Sequence, residues 1–538
     1  MIKKINYTYF IPLLIFILIF FNVLFKPLVL LDYSYYTINP VIKNQIYSNF
    51  QGAIPYDLLN LLLFPFASLF FQISFFLFSL IAFHYLKKLS KKPMLSFIIF
   101  IFNPFIYSRI MVGQIGVILS YLLLPMFFYH LINFLEKKEK SEYILALSLS
   151  AVCAFSLHFF ALCMMAFVIG LITYKTFNIK KIAFFLLLVL TINAYLLQGL
   201  TSRSIFSSIN LSHQSFFSPK PSGFLSTPLK IIGLYGFWRE AGYITAYTMF
   251  PFLLFALLAL AILILAVSSS FISQKKRTTF LYALMVISLL LAIGASTSLT
   301  KPLFDFLFNN IPFFNGLRDS HKFVSFIALS YSLLIPITVE HIEKKFKIKH
   351  IALAVILLFI IYSFPMIGLF GQIKGIEYPN EYLVLKGYAQ EHNISGKIIY
   401  LPWQTYLTYN WSMGAGSDGR IVNPINKILK QIVYIGPDEW GQTTKIQEDI
   451  ANCLSDQSIV CLEELGINYA IKDCCAFYPE NYSWINQTVF EEGCVSLNYI
   501  QEEKEISKTI VPKRFILGLT ISFVSIIYSL AMLFFKKH

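Results

Sequence analysis

Apolar residues along this chain come in blocks of about twenty, the length at which a helix crosses roughly 30 Å of hydrocarbon. Short lysine-rich clusters separate the blocks. The pattern predicts helices over 10–31, 58–85, 94–108, 115–135, 143–157, 160–175, 182–199, 246–270, 280–298, 323–340, 351–371 and 515–535. The first block has no small-residue cleavage site and reads as a retained helix. One stretch, 373–511, breaks the pattern. There KIIYLP (397–402) and INYAIK (467–472) read as short buried strands, and 444–454 and 460–465 carry helical spacing. The expected fold is an α-helical polytopic membrane protein of about 12 spans with a small extracytoplasmic α/β domain. Its membrane domain covers 1–372, with outer loops 32–57, 200–244 and 299–322. The α/β domain covers 373–511, and a last span lies in 512–538.

Charge gives the blocks an orientation. Threading the helices alternately puts every basic cluster on one side: Lys3 and Lys4, Lys87 to Lys92, Lys137 to Lys140, Lys175 to Lys181, Lys275 to Arg277, Lys344 to Lys349, and Lys536 with Lys537. The positive-inside rule makes that side cytoplasmic, so both termini lie inside and 373–511 lies outside. Of 538 residues, 57% are hydrophobic and 13% charged, about half the charged share of a soluble protein. The net charge of +15 is uneven. Residues 373–511 hold 18 acidic and 10 basic side chains, leaving 33 basic and 10 acidic elsewhere. The basic excess belongs to the membrane anchors, which argues against a nucleic-acid partner.

Glycosylation triplets begin at Asn6, Asn210, Asn393, Asn410, Asn481 and Asn486, all but the first in segments placed outside. Sugars attached there would favour an archaeal or eukaryotic host over most bacteria. Five of the seven cysteines (453, 461, 474, 475 and 494) also lie in the α/β domain, where an oxidising exterior permits disulfides. Cys453 with Cys461 is a plausible local pair. The odd number leaves at least one thiol free or paired elsewhere, and the rest of the connectivity is open.

No P-loop, G-x-S-x-G, H-E-x-x-H or dinucleotide fingerprint occurs, which argues against ATP-driven transport and cytoplasmic hydrolase chemistry. The outward acids outside the α/β domain are Asp32, Asp57, Glu240, Asp305 and Asp319. Asp32 ends the first span in LVLLDYSYY, where partial desolvation tunes a carboxylate as a general base or as a ligand for a phosphate-bound divalent ion. In NPFIYSRIMVGQIG (103–116), Asn103-Pro104 breaks a helix near the outer interface, and Arg109 follows in a polar gap suited to phosphate. In IPFFNGLRDSHKFVSF (311–326), Arg318 and Lys322 are placed to meet a lipid phosphate, with Asp319 or His321 to orient them. Trp238-Arg239-Glu240 is a lesser candidate, and His158 reads as a satisfied polar residue. Each also fits a belt of interfacial anchors.

In order and kind, these segments resemble polytopic membrane proteins of the GT-C glycosyltransferase superfamily, above all the mannosyltransferase-like proteins of archaea and bacteria. The resemblance implies sugar transfer from a polyprenyl-phosphate donor to an extracytoplasmic protein or glycan acceptor. It implies that Asp32, or secondly Asp57, is base or metal ligand, and that Arg109, Arg318 and Lys322 hold the donor phosphate. Many members carry paired acids after the first helix, whereas here Tyr33, Ser34 and Tyr35 follow Asp32. A lipid or glycan transporter would instead place charges at mid-membrane. A scaffold would leave the outer polar residues scattered.

Overall fold

The computed structural model describes residues 10–38, 54–196, 214, 216–222, 225–311, 314–348, 350–413, 419–437, 444–478, 482–502 and 513–534. The triplets at Asn6, Asn210 and Asn481 and the anchors Lys3, Lys4, Lys349, Lys536 and Lys537 lie outside these residues.

The helices used below are α1 (Phe10–Phe20), α2 (Ile54–Leu62), α3 (Phe70–Leu89), α4 (Pro93–Ile101), α5 (Pro104–Met111), α6 (Ile115–Leu135), α7 (Ser141–Cys153), α8 (His158–Tyr174), α9 (Ile179–Ile192), α10 (Phe252–Ile272), α11 (Lys276–Ile293), α12 (Val324–Phe346) and α13 (Ile351–Tyr362). Among the described residues, six helical stretches are long and apolar enough to cross a membrane: Phe64–Leu89, Ile115–Leu135, Phe252–Ile272, Lys276–Ser296, Ser320–Phe346 and Lys513–Phe534. α4 and α5 make a seventh if taken as one span broken by 40°. This is a multi-pass membrane architecture, and the full-length stretches among the described residues number fewer than the about twelve helices expected. Several predicted spans are shorter apolar helices: Phe10–Val23, Ser141–Cys153, His158–Tyr174, Ile351–Tyr362 and α9. One break has a clear local cause. The break between α4 and α5 falls at the Asn103-Pro104 step, where proline cannot donate and the Asn103 side chain accepts from the Ile106 N–H at 3.2 Å to start the next helix.

Two stretches form the centre of the bundle. Ser320–Phe346 is 89% buried and Ile115–Leu135 83%, whereas only 17% of Lys513–Phe534 is covered by protein. An apolar helix left bare to that degree has lipid as its natural solvent.

The second region follows α13. It contains α14 (Asn380–Glu391), α15 (Lys445–Ser455) and α16 (Ile459–Glu464), with strands β1 (Lys397–Leu401), β2 (Tyr406–Thr408), β3 (Arg420–Val422), β4 (Ile432–Tyr434), β5 (Ile467–Asp473), β6 (Thr488–Glu492) and β7 (Val495–Tyr499). Five strands form one sheet in the order β4-β1-β5-β7-β6, parallel across β4, β1 and β5 and antiparallel beyond. β2 and β3 form a separate antiparallel ribbon. Side chains alternate along a strand: Ile398 and Tyr400 enter one core, Ile399 and Leu401 another on the opposite face. Burial on both faces explains why KIIYL and INYAIK are continuous apolar runs. Cys453 pairs with Cys461, as the spacing allowed, and Cys475 pairs with Cys494, leaving Cys474 exposed as a thiol.

The loop after α1 is built into this second region. Val29 is fully buried in the core shared by Ile398 and Tyr400. Backbone hydrogen bonds run from the Ile376 N–H to the Pro27 carbonyl (3.0 Å) and from the Val422 N–H to the Leu31 carbonyl (2.7 Å). The Tyr378 hydroxyl donates to the Tyr35 carbonyl at 2.7 Å. The sheet domain thus sits on the membrane bundle through residues 27–38.

Candidate active site

Asp32 is placed by a tight turn in which Leu30 and Tyr33 exchange backbone hydrogen bonds, while its own N–H donates to the Val112 carbonyl at 2.8 Å. The turn packs against Gly113, whose φ is +76°; a Cβ there would lie 2.7 Å from the Tyr33 Cβ. Only glycine allows both that backbone angle and that approach.

Behind Asp32 runs a chain of polar contacts. Gln114 Nε2 donates to Asp32 Oδ2 at 2.9 Å, and Gln114 Oε1 accepts from Arg109 Nη1 at 2.6 Å. The same Nη1 donates to Asp319 Oδ2 at 2.9 Å, and Lys322 Nζ lies 3.3 Å from that oxygen. Arg109 Nη2 is 3.1 Å from His321 Nδ1. Arginine only donates, so Nδ1 is the acceptor and the Gln114 amide has one allowed orientation. Arg109 is fully buried, its guanidinium 4.2 Å from the Phe237 ring centre. It stands behind the wall of the site.

In front of Asp32 opens a cavity of about 720 Å³, within the usual range for small-molecule sites. Among the described residues, four cations line it: Arg239, Arg318, Lys322 and Lys427. Asp32 and Asp319 are the two carboxylates on its wall, with His158 at the start of α8 beside them. Trp238, Phe217, Phe155, Tyr33 and Tyr56 supply aromatic surface. Arg318 lies over Phe217 and Arg239 over Trp238, at 5.1 and 5.4 Å from the ring centres. The sheet domain contributes Lys427, Val422 and Tyr406, whose hydroxyl donates to Asp32 Oδ1 at 3.0 Å.

The two carboxylates differ electrically. Burial raises the Asp32 pKa, against the opposing pull of hydrogen bonds from Gln114 and Tyr406 and the charges of Arg239 and Arg109. Burial acts on Asp319 in the same direction, but Arg109 and Lys322 overcome it and hold that carboxyl well below the usual range. At the cavity edge, burial raises Asp57 with Lys427 opposing, while burial brings Lys427 down to about 8 with Asp57 opposing. The Tyr36 hydroxyl touches Lys427 and lies 3.4 Å from Asp57 Oδ1.

Asp32, Asp319, Arg318 and Lys322 therefore meet on one cavity, with Arg109 and His321 directly behind it. Glu240 points elsewhere: it accepts from the Gly236 and Phe237 N–H groups and pairs with Lys230 at 2.9 Å. Its neighbour Arg239 takes the place on the cavity. Asp57 reaches the cavity through Tyr36 and Lys427, and Asp305 pairs with Lys301 on the surface. Gln114, Tyr406 and Lys427 were not legible as site residues in the sequence.

The donor set does not suit a divalent ion. Such ions seek several carboxylate or carbonyl oxygens, but Asp319 is neutralised by Arg109 and Lys322, which leaves Asp32 as the one carboxylate without an ion pair among the described lining residues. Among the described residues, the one cluster of three metal-type side chains is Asp473, Cys475 and Cys494, whose two sulfurs are bonded to each other.

No protein-family model matches this chain, and no curated protein matches it. Solved structures do. The mycobacterial arabinofuranosyltransferase AftD is 14% identical over 93% of this chain and 40% of its own length, with a TM-score of 0.61. A mutant form of AftD gives 12% identity, 94% and 42% coverage, and a TM-score of 0.61. This chain thus spans about two fifths of AftD and shares its fold nearly throughout.

Proposed function

We propose that this protein is an integral membrane glycosyltransferase that moves a hexosyl unit from a polyprenyl-phosphate carrier to a hydroxyl of a protein or glycan acceptor. The reaction takes place on the outer face of the cell membrane, inverts the anomeric centre and needs no metal ion. The observation that carries the reading is the cavity itself: one carboxylate free of ion pairing faces four cations and aromatic walls, in a chain with the fold of a membrane arabinofuranosyltransferase.

In the reaction the acceptor oxygen attacks the anomeric carbon while Asp32 takes its proton. The bond from that carbon to the phosphate oxygen breaks, and the phosphate leaves with the electron pair. Arg318 and Lys322, with Arg239 beside them, stabilise the charge that develops there. Asp319 stays ionised and holds Lys322 in place. Arg109 binds no phosphate oxygen directly. It adds positive potential from behind the wall and fixes Gln114, and through it Asp32. Asp57 is the second choice as base.

Purified protein incubated with a panel of radiolabelled polyprenyl-phosphate sugars tests this. Transfer of a hexose label supports the reading in full, and transfer of arabinofuranose alone replaces the sugar. Absence of transfer from every phosphate-linked donor, with labelled lipid crossing proteoliposomes instead, would establish a transporter.

A further inference from the structure

Among the described residues Asp32 has two hydrogen-bond donors, and they come from different regions of the fold. Gln114 belongs to the membrane bundle and is fixed by Arg109. Tyr406 opens β2 of the sheet domain, 374 positions away from Asp32. The backbone on both sides of that contact is held. β3 anchors the ribbon to the loop through the Val422 N–H on the Leu31 carbonyl, and Thr405 and Asn423 are joined by a hydrogen bond of 2.8 Å from the Asn423 N–H to the Thr405 carbonyl. The Tyr406 hydroxyl therefore reaches Asp32 Oδ1 from a frame that exists only while the sheet domain is docked on residues 27–38.

Accepting the reading of Asp32 as the base, we infer that Tyr406 is a positioning residue for it: docking of the sheet domain delivers the hydroxyl that fixes the carboxylate and favours its ionised form. A carboxylate held at both oxygens by neutral donors keeps its remaining lone pairs in a fixed direction, toward the cavity. Without Tyr406 one oxygen swings free and the group becomes harder to ionise, since a hydrogen bond to the charged form stabilises it. The charges facing Asp32 are those of Arg239 and Arg109. Across the cavity stand Arg318, Lys322 and Asp319, with His158 at α8 and Lys427 on the sheet domain. All of them stay in place when the Tyr406 hydroxyl is removed, so a change in Asp32 reports that one bond.

The experiment compares Tyr406→Phe with Tyr378→Phe in the full-length protein. The second variant removes a docking bond at the same interface, the 2.7 Å contact to the Tyr35 carbonyl, without touching Asp32. The first readout is the pH profile of kcat/KM. The second, which needs no activity, is the pH at which carbodiimide labels Asp32, read by mass spectrometry, because the reagent takes the protonated carboxyl. Tyr406→Phe is expected to move the acid limb and the labelling midpoint upward together by about half to one pH unit, and to lower kcat more than it raises KM. Tyr378→Phe leaves both midpoints unchanged. Equal shifts in the two variants, or an unmoved labelling midpoint in Tyr406→Phe, overturn the inference. If Asp32→Asn keeps full activity, the base assignment fails instead, and the labelling midpoint still decides whether Tyr406 sets the Asp32 carboxyl.

Discussion

Asp32 and Asp319 sit on the walls of one cavity and have been given opposite surroundings. Asp319 is clasped by Arg109 and Lys322, which hold its carboxyl well below the usual carboxylate range. Among the described residues Asp32 is bound by an amide and a phenol, and burial raises its pKa. Two like groups with displaced proton affinities are a recurring sign of divided labour. One is part of the frame, and the other is able to change its proton. An ion-paired carboxylate is a poor base because taking up a proton would strand its partners.

That contrast can be broken by experiment. The largest effect expected is on catalysis at Asp32. Asp32→Asn should lower sugar transfer by about 10²–10⁴-fold with its thermal unfolding temperature in detergent unchanged or slightly raised. The sign follows from linkage: a carboxyl with a raised folded pKa adds stability only while protonated, and that contribution is lost as pH rises through its folded pKa. Asp319→Asn should do the reverse. It leaves two buried cations without their counter-charge and should cost about 3–5 kcal/mol of stability, seen as an early melting transition. Loss of stability in Asp32→Asn, or none in Asp319→Asn, would erase the distinction.

Smaller effects sharpen it. Gly113→Ala forces a Cβ against Tyr33 at a left-handed backbone angle and should cost about 1–3 kcal/mol, with a fall in kcat from the displaced Asp32 turn. Arg318→Gln should raise the KM for the lipid-phosphate donor about tenfold and leave melting untouched, since Arg318 is only half-buried on the cavity wall. The acid limb of kcat/KM in the unaltered protein should lie above the ordinary aspartate range near ~4. Activity should fall as pH drops through the Asp32 pKa, while the Asp319 contribution to stability, present above its unfolded pKa, persists to lower pH.

Much of this was legible in the sequence because it is local. Apolar runs marked the helices, KIIYLP and INYAIK marked strands buried on both faces, and Cys453 and Cys461 lie close enough in sequence to suggest a pair. Asp32, Arg318 and Lys322 stood out as charges at the ends of apolar blocks. What escaped depends on chain-distant company. Gln114 is an ordinary loop residue until Asp32, 82 positions away, is brought against it. Tyr406 and Lys427 look like the surface of a small soluble domain, and nothing near them announces a partner on the first loop. Glu240 and Arg239 are adjacent, and the sequence could not tell which of them would face inward to Lys230 and which would face the cavity. Several helices, among them Ser141–Cys153 and Ile351–Tyr362, are shorter than a full span, and a helix packed among others can stop short of the bilayer because its neighbours cover its polar ends.

The anchoring of residues 27–38 in the sheet domain also bears on how the protein is made. A ribosome emits Asp32 374 residues before Tyr406. Until then the bundle holds an unfinished pocket, with one carboxylate oxygen lacking its phenol. A chain whose synthesis has not yet reached Tyr406 lacks that hydrogen bond to Asp32, and the cavity wall is complete only when later-translated residues close over earlier ones.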